Sequence, residues 1–409
     1  MVASLHGLET PARLGGTPVR PEFLHFSRPR LSDAEIASVI ETLRSGWLTT
    51  AAKAREFEDS FKSYIGLKHA VALNSCTAGL FLSLKALEIG PGDEVITTPL
   101  TFAASVNVIE HVGAKPVFAD IDPTTWCIDP SRVEKCVTSA TRAMIPVHLY
   151  GYPCDMDSLR SIASQNGLKI VQDCAHAIET EWNGRSVGSF GDIACYSFYA
   201  TKNVTTAEGG MIATDNEAWA DHIRVLALHG LDKTAYDRYT SGGKPLYDLL
   251  EPGYKFNMPD TAAALGVEGL KLVDQRHRRR EEIWRRYCAE LSDLPGLTLP
   301  PETGPGHRHA RHLFVCALDP QTAGVGLGRD SMIECLAAEN IGSGVHYTPV
   351  HFFKYYRTKY ALEPEQFPRA SDLGTRVFSL PLTAFLSDKD IDDVIRAVRK
   401  IVLFHAKQL

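Results

Sequence analysis

In the first half of the chain, short apolar runs alternate with stretches in which apolar residues return every three or four positions. The runs at 70–73, 93–98, 115–120, 143–149, 168–173, 193–198 and 211–214 have the length and bounds of buried strands. Between them the period lengthens. Ser32-Asp33-Ala34-Glu35 forms a capping box ahead of Ile36, Val39, Ile40 and Leu43, which predicts a helix ending before Gly46. Leu80, Leu82, Leu84 and Leu87 continue a second helix, residues 99–105 open a third, and 156–165 form a fourth bounded by Gly167. The segment 46–50 (GWLTT) is too polar and too short for an element. Strands alternating with helices predict a mostly parallel sheet covered on both faces.

The pattern changes after residue 254. Leu265, Leu272, Ile283, Trp284, Tyr287 and Leu291 keep roughly one helical face, and 276–280 load the other with charge, which predicts a solvated surface. Beyond Leu291 come strands at 312–317 and 344–347 and helices at 331–339 and 388–401, the makings of a smaller α+β domain. The expected organisation is an irregular Gly/Pro-rich arm over 1–26, a large domain over 27–290 and a small one over 291–409.

Composition narrows the class. An apolar content of 44% and a charged content of 22% suit a globular enzyme. A net charge of -6 supplies no basic footprint for nucleic acid. No apolar run is long enough for a membrane span, no signal pattern opens the chain, and nine scattered cysteines without a CxxC pair or metal-ligand spacing read as free thiols. A cytoplasmic protein without metal is expected. Gly90-Pro91-Gly92 precedes a strand, whereas a dinucleotide fingerprint follows one.

The chemistry concentrates in residues 173–210, DCAHAIETEWNGRSVGSFGDIACYSFYATKNVTTAEGG. Asp173 ends an apolar strand, where open α/β sheets place their sites. Lys202, Thr205, Thr206 and a Gly-Gly pair follow. This order suits pyridoxal 5'-phosphate (PLP): an anion keeps the pyridine nitrogen protonated, hydroxyls take the phosphate, and an amine takes the aldehyde. Such an amine must lose its charge, which burial and neighbouring cations promote. Upstream, Asn74-Ser75-Cys76-Thr77-Ala78-Gly79 is a small-residue turn into a helix, where N-H groups and the helix dipole favour an anion.

The blocks DCAHA, GSFGDIACYSFYATKN and TTAEGGMIATDN resemble the DegT/StrS-type sugar aminotransferases, fold-type-I PLP enzymes, from about residue 27 to about residue 400. The resemblance implies that Lys202 binds PLP covalently, Asp173 meets the pyridine nitrogen, and His176 lies near the ring 3-oxygen. It implies that Phe102 stacks on the ring, that Thr77, Ala78 and Ser197 contact phosphate, and that Lys255 reaches the partner subunit's site in a homodimer with shared active sites. His346 and Tyr347, in an HYxPxH segment, would border the substrate.

The implied reaction moves an amino group from an amino acid, L-glutamate by resemblance, to a keto-sugar, most simply a nucleotide-linked one. A keto-cyclitol aminotransferase, a PLP-dependent sugar dehydratase and a non-enzymatic sugar- or PLP-binding regulator are the alternatives. Related dehydratases replace the lysine by histidine, so Lys202 speaks against that chemistry. The short arm before residue 27 has no room for a regulator's output module.

Overall fold

All seven apolar runs enter one sheet. Its strands are β1 (His69–Leu73), β2 (Glu94–Thr97), β3 (Lys115–Phe118), β4 (Thr141–Ile145), β5 (Lys169–Asp173), β6 (Ile193–Ser197) and β7 (Gly210–Thr214), in the order β1-β7-β6-β5-β4-β2-β3. Every neighbouring pair is parallel except those made by β7, which runs against both β1 and β6. The reversal follows from the loop after β6, which returns the chain directly into the sheet instead of crossing over through a helix. The computed structural model describes residues 9–240, 243 and 245–407. These divide into two units: one holds 29–275 and 303–310, with the large sheet, and the other holds the remaining described residues. The boundaries read from sequence were 26/27 and 290/291.

In the first unit α1 (Asp33–Ser45) starts at Ser32, whose hydroxyl accepts from Glu35 N-H while the Glu35 carboxylate accepts from Ser32 N-H, the expected capping box. Its exposure is inverted, however. Glu35, Ser38 and Thr42 are buried, and Ile36, Ile40 and Leu43 are 45%, 41% and 54% exposed. The helix α2 (Ala52–Ile65), not assigned from sequence, buries Ala54, Phe57, Phe61 and Ile65. Asp260 caps it from afar, accepting from the N-H groups of Ala51, Lys53 and Ala54 at 2.7, 2.9 and 3.0 Å. α3 (Cys76–Ala86) lies on the sheet, and a Cβ on its Gly79 would stand 3.0 Å from an Ile212 methyl. The third expected helix begins at Ala104 rather than at residue 99.

The second unit has a three-stranded antiparallel sheet of Leu297–Thr298, Phe314–Leu318 and Val377–Leu380. The strand expected at 344–347 does not form; Gly344 makes a single bridge to Ser379, and Val377–Leu380 takes the edge instead. The long helical stretch is two helices, Asp260–Lys271 and Val273–Leu291. Its charge run is not a plain solvated face, because His277 and Arg280 are buried and Arg279 pairs with Asp388 at 2.8 Å. Here the aliphatic stems cover the core while the charged heads find acidic or carbonyl partners. No helix of the described residues is long and apolar enough to cross a membrane.

The N-terminal arm is fastened to this second unit by a buried ion pair. Glu339, 0% exposed, meets Lys400 Nζ at 2.8 Å and accepts from Ala12 N-H at 2.8 Å and Val19 N-H at 2.9 Å. Lys400 also donates to the Thr17 carbonyl at 2.7 Å. Removing one partner leaves a buried charge without its counterion. Lys400→Met is therefore expected to lower stability by about 3–5 kcal/mol. Replacing both, Glu339→Gln with Lys400→Met, should recover part of that loss in chemical denaturation. An unchanged denaturation midpoint in Lys400→Met would show that the arm is not held this way.

Candidate active site

The site forms where the parallel strands end. β5 delivers Asp173 at its last position, with its N-H donating to the Pro146 carbonyl at 2.9 Å. The carboxylate is buried and accepts twice, from Ser105 Oγ at 2.7 Å and from Ala175 N-H at 3.0 Å. Thr101 Oγ1 stands 2.9 Å from Ser105 Oγ. Ser105 has one proton and spends it on the carboxylate, so Thr101 donates to Ser105, and the chain of hydroxyls ends on the anion. Burial pushes the Asp173 carboxyl up from its ordinary range. Ser105, the Ala175 N-H and the charge of Lys202 pull it back.

Lys202 lies on the loop between β6 and β7. Its N-H donates to the Tyr199 carbonyl at 2.9 Å, and Thr206 N-H closes the loop onto the Phe198 carbonyl at 2.9 Å. Although the residue as a whole is only half-buried, its amine sits deep enough for burial to lower it to about 8, against the upward pull of Asp173 and Cys76. Asp173 and Lys202 are thus within electrostatic reach of each other and largely out of water.

His176, also buried, is oriented through its ring. Nδ1 accepts from Tyr150 N-H at 3.1 Å, so the ring proton sits on Nε2. That contact depends on an unusual backbone, because Tyr150 has φ 60° and the following Gly151 φ 100°. A Cβ on Gly151 would stand 2.9 Å from the His176 carbonyl oxygen. Just behind lies a second buried histidine, which is structural. His148 accepts from Cys154 N-H through Nδ1 at 3.1 Å and reaches Gln172 Oε1 with Nε2 at 3.0 Å, and burial lowers it to about 4.

At the turn expected to take the phosphate, one backbone donor is engaged within the chain. Ser75 is the cap of α3, and its hydroxyl accepts from Ala78 N-H at 3.1 Å, so Ala78 has already spent its donor. The N-H groups of Cys76 and Thr77 are the ones the helix cannot satisfy itself. Gly210, opposite Leu73 on one side and Ser197 on the other, lets β7 press against this turn. A Cβ there would come within 2.4 Å of Cys76 N. Ser197 Oγ accepts from Tyr199 N-H at 3.3 Å.

Phe102 is 60% exposed and lies on the same turn as Ser105, whose N-H donates to its carbonyl at 3.3 Å. Lys255 extends past the end of β1, where Asn257 bridges Leu73 and Asn74 N-H donates to the Phe256 carbonyl at 2.7 Å. Its amine donates to Asn257 Oδ1 at 2.6 Å in its own chain. His346 and Tyr347 belong to the other unit, where His346 Nδ1 lies 2.7 Å from Ser379 Oγ and the ring stacks on Phe26. Roles for Thr101, Ser105 and Tyr150 were not read from the sequence. Two hydroxyls four residues apart, flanking the start of a helix at Ala104, were the available signal for the first pair.

The residues fit PLP: a buried carboxylate for a cationic nitrogen, an amine that burial makes easier to deprotonate, and unsatisfied N-H groups where a glycine opens the turn. Comparison with known proteins agrees. The model of the DegT/DnrJ/EryC1/StrS aminotransferase family matches residues 29–399. The chain is 50% identical over 384 residues to the spore coat polysaccharide biosynthesis protein SpsC of Bacillus subtilis, covering 94% of this chain and 98% of that one. Among solved structures, Spr1654 of Streptococcus pneumoniae in its PLP form superposes with a TM-score of 0.86 at 33% identity, over 95% of this chain and 100% of that one. PseC of Helicobacter pylori, an aminotransferase involved in pseudoaminic acid biosynthesis, gives a TM-score of 0.85 at 26% identity, over 94% and 100%. The fold is that of the fold-type-I PLP aminotransferases, the cofactor is PLP, and the chain is a sugar aminotransferase that belongs to the DegT/DnrJ/EryC1/StrS family.

Proposed function

We propose that the protein transfers the amino group of L-glutamate to a nucleotide-linked keto-sugar, and that it works as a homodimer. The observation that carries the proposal is the buried Asp173 carboxylate within electrostatic reach of a lysine lowered to about 8. Relatives support the sugar side: SpsC is named for polysaccharide biosynthesis and PseC for pseudoaminic acid biosynthesis.

Lys202 would hold the aldehyde carbon of PLP and Asp173 its ring nitrogen. His176 would stand at the 3-oxygen and Phe102 on the ring face. Thr77 and Ser197 would meet the phosphate, helped by the Cys76 N-H. When bound, PLP supplies an electron sink for the pair of electrons left when a proton departs from the amino-bearing carbon. Lys202 Nζ would take that proton and return it. Two hydrogen-bond donors favour the anionic form of Asp173, whose negative charge would keep the ring nitrogen protonated. Thr101 and Ser105 keep the carboxylate in place without supplying a charge of their own.

The dimer is supported by apolar surface that a single copy leaves open. Ile36, Ile40 and Leu43 form one face of α1, and Leu246, Tyr247, Leu249 and Leu250 are each more than half exposed on the loop leading towards Lys255. Exposed apolar side chains grouped on one helix face and on one loop suit an interface. A second copy covering it would bring Lys255 towards the partner's phosphate. A purely monomeric profile in analytical ultracentrifugation at assay concentration would remove this part of the proposal.

Covalent capture of added PLP by the cofactor-free chain should rise with pH through a midpoint near 8, because the ammonium must lose its proton first. In Asp173→Asn the upward pull of the carboxylate on Lys202 is gone, so that midpoint should fall below the unaltered value. Turnover should drop by about two orders of magnitude or more, and a near-normal rate would assign ring protonation to another group. For the substrate, enzyme converted by L-glutamate to its pyridoxamine phosphate form should regain the PLP spectrum with keto-sugar nucleotides. Regain with keto-cyclitols alone would favour that substrate class instead.

A further inference from the structure

Asn203 follows Lys202 directly, and both hydrogens of its side-chain amide are engaged. Nδ2 donates to Glu179 Oε2 at 2.7 Å and to the Ala310 carbonyl at 3.2 Å. Glu179 is 2% exposed and closes the segment that begins at Asp173 and contains His176. Ala310 is fixed in turn, with its N-H donating to the Gly151 carbonyl at 3.0 Å. The same carbonyl accepts from Thr180 Oγ1 at 2.7 Å, one residue past Glu179. Gly151 adjoins Tyr150, whose N-H orients the His176 ring. One amide therefore joins the lysine loop to the Asp173–Glu179 segment and, through Ala310, to the turn that aims His176.

Two acceptors for two amide hydrogens fix which end of the Asn203 side chain is nitrogen, so the contact has a single geometry. On its other side Glu179 feels the guanidinium of Arg308, which is paired with Asp274 at 3.1 Å and Glu181 at 3.4 Å. These groups and Tyr64 line a cavity of about 470 Å³ that none of Asp173, His176 or Lys202 borders. Glu179 is thus a buried carboxylate supported from both sides. A buried carboxylate hydrogen-bonded to the residue that follows Lys202 is costly to bury unless it is matched.

We propose that Asn203 and Glu179 act as one positioning pair that sets where the Lys202 amine stands relative to Asp173. The inference rests on the assignment of Lys202 as the residue that attaches PLP. Neither member touches the reacting atoms. Their effect is on the geometry of attack, where a misplacement of about 1 Å can cost a factor of about 100.

The test uses the full chain freed of cofactor. The rate at which it captures added PLP is measured at about pH 9, above the midpoint of the amine, with borohydride trapping and peptide mass mapping. Asn203→Leu and Glu179→Ala should each slow capture about tenfold or more, whereas Glu179→Gln, which keeps an acceptor at the same place, should stay within about twofold. Combining Asn203→Leu with Glu179→Ala should be no worse than either alone, as for groups acting as a unit. Asn203→Leu should also move the capture midpoint to lower pH, because an amine that drifts from Asp173 loses the carboxylate's upward pull. Capture at the unaltered rate in Asn203→Leu would overturn the pair. So would a loss in which Glu179→Gln falls as far as Glu179→Ala with the pH profile unmoved, since that pattern belongs to a fold support only. Trapping on a different lysine in the unaltered chain would be a separate failure, of the Lys202 assignment itself.

Discussion

A carboxylate and an amine kept out of water within reach of each other's charge are the constraint around which this chain is built. Burial drives Asp173 and Lys202 towards their neutral forms, and their mutual attraction opposes it. The balance differs for the two groups. Asp173 also receives Ser105 Oγ and the Ala175 N-H, which favour its anionic form against the burial that pushes it up. Lys202 has less help and settles near 8. At pH 7 an amine at about 8 is roughly one-tenth neutral, about 200-fold more than an unperturbed lysine at about 10.4. The same partner that makes the site acidic therefore limits how far the lysine can be activated, which makes the placement of Lys202 as important as its burial.

The sheet provides that placement by its direction. The parallel strands β4, β5 and β6 end at one edge, which brings the turn that aims His176, the Asp173 segment and the lysine loop to adjacent positions. β7 then returns antiparallel, and its first residue, Gly210, lies between Leu73 and Ser197. A larger residue there would collide with the backbone of the turn into α3. A parallel crossover at this point would have taken the lysine loop away from the edge. The single reversed strand is thus part of the site.

Much of this was legible in the sequence, and the failures have physical causes. Seven apolar runs predicted seven strands because buried strands of a doubly covered sheet are apolar on both faces. The capping box at Ser32 was readable, but which face of α1 would be covered was not. Ile36, Ile40 and Leu43 look like a core stripe, yet the structure buries Glu35, Ser38 and Thr42. Periodicity reports that a helix has an apolar side and is silent on whether its own chain or another covers it. Lys202 and Asp173 were found through motif order. Ser105 and Thr101 were not, since a hydroxyl that supports a carboxylate looks like any turn residue until the fold brings residues 105 and 173 together. The expected strand at 344–347 failed because Val377–Leu380, which borders Phe314–Leu318 along four residue pairs, took the position.

The amine that becomes attached to the cofactor identifies the catalytic centre. Reduction of the PLP-loaded enzyme with borohydride, followed by proteolysis and mass mapping, should find the pyridoxyl group on the peptide containing Lys202 and on no other. Recovery of the label on a different lysine, or no label in a chain that still turns over, would contradict the claim that the Asp173–Lys202 pair is the catalytic centre.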